Sequence, residues 1–162
     1  AKILNTTISD SLDKGSNVTV KTSGTDTSGQ KGNITISAGI YKTKGGDATL
    51  TFLADGDIST PDGVWNTPEL INATTGKLNL AMLAGDGGTI TLGKYFKASL
   101  NGGDFTAGVN NSSGENNQGA VTVTHSNAGY IHAGNITIDA LNGYGGYAPS
   151  LTAAGNLTIN GG

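Results

Sequence analysis

At 162 residues, with a net charge of −3 and no cysteine, the chain has the length of one domain, relies on no disulfide and lacks a strong charge bias. All nine of its basic residues are lysine and none forms a run, which excludes a phosphate-tracking nucleic-acid groove, and no apolar stretch reaches the ~18 residues of a spanning helix. Twenty-seven glycines, 22 threonines and 16 asparagines stand against 6% aromatic residues, so a single thick core is excluded and the apolar residues must be buried in thin, regular layers.

Residues 1–20 open with Ile8 and Leu12 four apart around Ser9 and Asp10. That spacing suits a single helical turn or a bent lead-in. A bend is the expectation, with a short cap-like turn as the alternative. Ser16-Asn17-Val18-Thr19-Val20 follows and is the first copy of a block that recurs along the chain. A polar loop from Ser23 leads to Gly32-Asn33-Ile34-Thr35-Ile36, the clearest copy. The chain then turns at Gly39 and Gly45-Gly46 into Asp47-Ala48-Thr49-Leu50. Later copies are Gly76-Lys77-Leu78-Asn79-Leu80, Gly88-Thr89-Ile90-Thr91-Leu92, Gly119-Ala120-Val121-Thr122-Val123, Gly134-Asn135-Ile136-Thr137-Ile138 and Gly155-Asn156-Leu157-Thr158-Ile159.

Each block reads as a turn glycine and a short strand, because apolar and polar residues alternate with period two. Ile34 and Ile36 then face one way, Asn33 and Thr35 the other. One strand repeated eight times is a stack, and parallel strands joined by crossovers are right-handed by default. The expected fold is all-β: a right-handed parallel β-helix, a solenoid spanning residues 1–162 as one segment. Successive blocks lie about 20 residues apart on average, which predicts seven or eight coils in a rod ~35 Å long. The Leu-x-x-Leu-x-Leu spacing of leucine-rich repeats is absent. Two long intervals hold irregular material: Pro61, Trp65 and Pro68 mark a loop or edge excursion, and residues 110–119 a solvated loop. The chain starts without Met and ends on a copy of its own repeat, which reads as a piece of a longer rod.

Catalytic chemistry on a β-helix needs carboxylates on one face, or a carboxylate with a cation. Asp55, Asp57 and Asp62 are the candidates, with Lys42 or Lys44 as the cation; convergence in one groove would favour a polysaccharide-degrading enzyme, and separate turns would not. The expectation is no enzyme and no cofactor. Asp55-Gly56-Asp57-Ile58-Ser59 opens like a calcium loop but lacks the glycine and glutamate that complete one. Gly88 to Lys94 mimics a phosphate loop with Tyr95 in place of Ser or Thr and a strand in its middle. His125 and His132 lack partners for a metal site and read as exposed strand or loop residues. Trp65, Tyr41, Tyr144 and Tyr147 are candidate ligand platforms, although Trp65 between prolines also suits closure of its loop onto the rod. Asn-x-Ser/Thr triplets occur at Asn5, Asn17, Asn33, Asn72, Asn110, Asn111, Asn135 and Asn156. These are candidate glycosylation acceptors, or else members of an asparagine ladder bonded between coils.

The passage from Asn5-Thr6-Thr7-Ile8 through Asn17-Val18-Thr19-Val20 and Gly32-Asn33-Ile34-Thr35-Ile36 to Ala48-Thr49-Leu50-Thr51-Phe52 and Gly56-Asp57-Ile58 resembles the repeat region of two-partner-secretion exoproteins. It is most similar to the Haemophilus-type high-molecular-weight adhesins and more distantly to filamentous haemagglutinin. The resemblance implies a secreted rod at the bacterial surface, exported through an outer-membrane barrel transporter. It also implies attachment to a host receptor or glycan, and modification of Asn-x-Ser/Thr sites by an N-glycosyltransferase. Within the same class, a haem-carrier-capturing exoprotein is the alternative; outside it, a polysaccharide-degrading β-helix or phage tailspike.

Overall fold

The fold is that of a computed structural model describing residues 3–22, 32–110, 121–126, 128–146 and 150–161. The chain winds in coils of three strands. The first coil holds β1 (Val18–Lys21), β2 (Ile34–Thr35) and β3 (Ile40–Lys42); the second β4 (Ala48–Leu53), β5 (Ile58–Ser59) and β6 (Ile71–Ala73). The third holds β7 (Leu78–Ala84), β8 (Thr89–Leu92) and β9 (Lys97–Ser99); the fourth β10 (Phe105–Val109), β11 (Thr122–His125) and β12 (Tyr130–Ala133). The fifth holds β13 (Ile136–Ala140), β14 (Gly143–Gly146) and β15 (Ser150–Ala153), and β16 (Leu157–Gly161) begins a sixth. Every third strand pairs in parallel with the one a coil away, giving a first sheet β1-β4-β7-β10-β13-β16, a second β14-β11-β8-β5-β2 and a third β15-β12-β9-β6-β3. This is a parallel β-helix, as the alternation predicts.

The column is shorter than the expected seven or eight coils: among the described residues five are complete and a sixth has started. The reason lies in where the blocks fall. Those at Val18, Ala48, Leu78, Ile136 and Leu157 belong to the first sheet, whereas those at Ile34, Ile90 and Val121 belong to or lead into the second. Adjacent blocks therefore often mark two sides of one coil. Residues truly in register, Leu50, Leu80, Phe105, Ile136 and Leu157, are 21 to 31 positions apart.

Alternate side chains from all three sheets point inward and stack file upon file. Ile34, Ile58, Ile90 and Val123 form one such file, and Ile40, Ile71, Ala98 and Ile131 another; all eight are buried. Removing each large aliphatic side chain from water contributes roughly 1.5–3 kcal/mol, and that burial holds the rungs together. Corners between strands stack backbone on backbone: a Cβ at Gly85 would collide with the Asp55 carbonyl, and one at Gly103 with that of Leu78. Close backbone approach explains glycine at these two corners.

The start of the column is covered by a helix, α1 (Asn5–Asp13), where the sequence favoured a bend. Ile8 and Leu12 enter the core from one side of the helix. Asn5, Ser9 and Asp13, four apart, form a stripe along α1 that serves strand β3. The Asn5 amide donates to the Gly39 carbonyl at 2.6 Å. Ser9 Oγ accepts the Tyr41 N–H at 3.0 Å, and Asp13 Oδ1 accepts those of Thr43 and Lys44. The stripe thus supplies partners that a preceding strand would otherwise provide. Lys42, a candidate cation for the aspartate group, is fully buried beneath the helix and donates from Nζ to the carbonyls of Leu12 and Lys44. At the other end, Leu157 and Ile159 of β16 lie in register over Ile136 and Ile138 and stay 47% and 43% exposed.

Candidate functional site

With the interior filled, any site lies on the outer faces and corners. Two files of outward side chains run along the axis. In the first sheet the file is Asn17, Thr49, Asn79, Asp104, Asn135 and Asn156. Asn17 Oδ1 accepts the Thr49 N–H, Asn79 Oδ1 that of Asp104, Asp104 Oδ1 that of Asn135, and Asn135 Oδ1 that of Asn156, each at 2.9 Å. Leading into the second sheet, Asn33 Oδ1 accepts the Asp57 N–H and Asp57 Oδ1 that of Thr89, both at 2.8 Å. These bonds satisfy backbone donors where the strand ladders begin. The ladder is built from side-chain oxygens to backbone, with aspartate and asparagine interchangeable as acceptors. Asp104 and Asn79 belong to it although no Asn-x-Ser/Thr triplet marks them; an Asp or Asn beside an inward apolar residue is the signal that finds them.

The glycosylation candidates therefore divide by the state of Nδ2, the atom a sugar would join. Asn5 Nδ2 donates to Gly39, Asn135 Nδ2 to Asp104 Oδ1 at 3.2 Å, and buried Asn110 Nδ2 to the Ala54 carbonyl. Asn17 and Asn33 are exposed and, among the described residues, accept through Oδ1 alone. Asn156 is exposed, Asn72 is half-buried in β6, and Asn111 falls outside the described residues. An Asn135→Ala substitution removes an acceptor and a donor between coils and lowers stability in urea melts by about 1–2 kcal/mol. An effect as small as that of Thr137→Ala on the same strand would show that the file contributes nothing to cohesion.

Asp55 and Asp57 flank Gly56 and, with Asn33 and Asp86, line an open depression of about 330 Å³ at the corner before the second sheet. Asp62 lies beyond β5, where its Oδ1 accepts the Lys94 N–H at 2.7 Å. Lys42 is held under α1 on the third sheet. Asp55 and Asp57 thus share one turn while Asp62 sits at another, and Lys42 is engaged elsewhere, on the carbonyls of Leu12 and Lys44. Among the described residues, no three His, Cys, Asp or Glu side chains are grouped to hold a metal ion. Thr89–Leu92 is a strand, so the phosphate-loop mimic is one in sequence only.

The aromatic candidates part ways. His125, expected on the surface, points inward from β11, is 4% exposed, and meets the Tyr144 ring edge-on at 5.5 Å. Burial lowers its pKa from 6.5 to about 4 and raises that of Tyr144. Among the described residues, neither His125 Nε2 nor the Tyr144 hydroxyl has a hydrogen-bond partner. Tyr144 is thus a core-side residue rather than a platform, and Tyr147 falls outside the described residues.

Trp65 is 75% exposed and does not close its loop onto the rod. Closure comes instead from Lys97, whose Nζ donates to the carbonyls of Trp65 and Thr67 at 3.0 and 2.8 Å. A second strap joins Glu69 to the fourth coil through a hydrogen bond from the Tyr130 hydroxyl to Oε1 at 2.5 Å. Desolvation and the Glu69 carboxylate push that phenol up to about 12. Tyr130 in turn stacks on exposed His132, ring centroids 4.3 Å apart. Glu69, Lys97 and Tyr130 were not singled out by sequence, since only coil registry brings them together. No family model, curated protein or solved structure matches the chain.

Proposed function

We propose that the chain is a non-catalytic binding segment of a secreted bacterial surface adhesin of the two-partner-secretion type. The observation that carries this reading is how the polar side chains are spent. Asn17, Asn33, Asp57, Asp62, Asp104 and Asn135 each hold the next coil through a backbone N–H, which leaves the rod stiff and its outer faces open for contact. Such a column suits export through an outer-membrane barrel transporter: without disulfides and with each coil touching its neighbours, the chain can fold rung by rung as it emerges. Asn17 and Asn33 are the acceptors an N-glycosyltransferase would use at least cost to the ladder. The protruding loop of residues 61–69 also fits the second reading, capture of a host carrier protein, because an exposed tryptophan on a strapped loop is a typical contact anchor.

Adhesion tests the proposal directly. Beads coated with the folded chain should bind host epithelial cells well above albumin-coated beads. Binding no better than albumin would sink the adhesin reading, as would release of new reducing ends from polysaccharides by the purified chain.

A further inference from the structure

We propose that the outer face of the third sheet, with the loop of residues 61–69 strapped beside it, is a binding platform for a neutral carbohydrate chain. The inference rests on reading the rod as a display surface and names what that surface takes. Among the described strand residues, outward aromatic rings occur on the third sheet alone: Tyr41 on β3, Tyr130 and His132 on β12. Tyr41, Asn72, Ser99 and His132 follow one another in register, so the rings flank an amide and a hydroxyl on rungs ~4.8 Å apart. Sugars offer the matching chemistry: apolar C–H faces that lie on rings, and rims of hydroxyls that seek amides and hydroxyls.

The loop adds a ring that is exposed yet fixed. Val64 N–H donates to Thr67 Oγ1 at 2.6 Å, Gly63 N–H to the Lys94 carbonyl at 2.6 Å, and Lys97 holds the far side. Trp65 therefore stays in water without being needed for closure, and binding on it would require little further ordering of the loop. Charge selects a neutral ligand. Lys97 is turned onto loop carbonyls and Glu69 onto the Tyr130 hydroxyl, and the exposed pair at the loop's edge, Asp62 and Lys94, is adjacent and of opposite sign, so no charge of one sign is displayed for an acidic or basic partner.

Trp65 is the sole tryptophan, which makes its fluorescence a direct probe. The folded chain is titrated with a panel of neutral oligosaccharides, acidic oligosaccharides and phosphatidylcholine vesicles, following emission and acrylamide quenching. A neutral oligosaccharide should shift emission to the blue and cut quenching at least about twofold, Trp65→Ala should abolish its binding heat, and His132→Ala should weaken its Kd about fivefold with Tm unchanged. The platform is overturned if no neutral oligosaccharide gives a response, if only vesicles do, or if only acidic sugars do with loss in high salt. Cell adhesion that persists in Trp65→Ala beside absent glycan binding would remove the platform and leave the adhesin reading standing. Glycan binding by beads that do not adhere to cells would do the reverse.

Discussion

Replacing Ile136 by Asp unfolds the coils on either side of it. Ile136 is fully buried, the first inward residue of β13, and lies in file between Phe105 and Leu157. A carboxylate there has no cation or donor to meet it, so the protein loses the aliphatic burial and must either hold an unpaired charge or take up a proton at a cost. The expected loss exceeds ~4 kcal/mol, against a total of about 5–15 kcal/mol for a domain. Because each coil touches only its neighbours, the damage spreads as lost interfaces on both sides rather than as one local cavity. Circular dichroism should show Tm falling by roughly 10 °C or more. Thr137→Asp, one residue on and facing outward, should change it by only about 1–2 °C. Equal melts for the two variants would mean that Ile136 is not inside a column at all.

The alternation that separates Ile136 from Thr137 was legible in the sequence, here as in the clearest copy of the block. Period-two alternation is a local property, so Ile34 inside and Thr35 outside could be read directly, and so could a stack of parallel strands. Which strands share a sheet could not, because partners in register lie 20 or more residues apart and the third sheet carries no glycine-asparagine signature: Ile40-Tyr41-Lys42 and Lys97-Ala98-Ser99 look like ordinary connections. Helix α1 was hidden for a related reason. Only Ile8 and Leu12 face the core, too few to set a helical period, and the stripe of Asn5, Ser9 and Asp13 has meaning only against a strand edge some 30 residues away. The asparagines were legible as a pattern but ambiguous in role, since an exposed Asn before a strand satisfies both a glycosylation triplet and a ladder. The straps that tie the loop of Trp65 to Lys97 and Tyr130 run between coils, and no spacing along the chain encodes them.

Acidification from neutral to pH 4 destabilises the column through His125. Its folded pKa is about 4 against an ordinary 6.5, so below pH 6.5 the unfolded chain takes a proton that the folded chain refuses. Stability is therefore fully present above that pH, is lost progressively as the pH falls to about 4, and levels off below. At ~1.4 kcal/mol per pH unit the total comes to about 3 kcal/mol. The cause is geometric: the imidazole sits in the inward file of β11 between Leu92 and Gly146, edge-on to Tyr144, with Nε2 unpartnered among the described residues. A His125→Leu variant continues the file from Leu92 and removes the stranded nitrogen. It should match or exceed the parent in stability at pH 7 and hold a nearly level urea midpoint between pH 6.5 and 4.5, where the parent declines. If the variant and the parent lose stability in parallel across that window, another group carries the acid response and His125 is not held neutral in the fold.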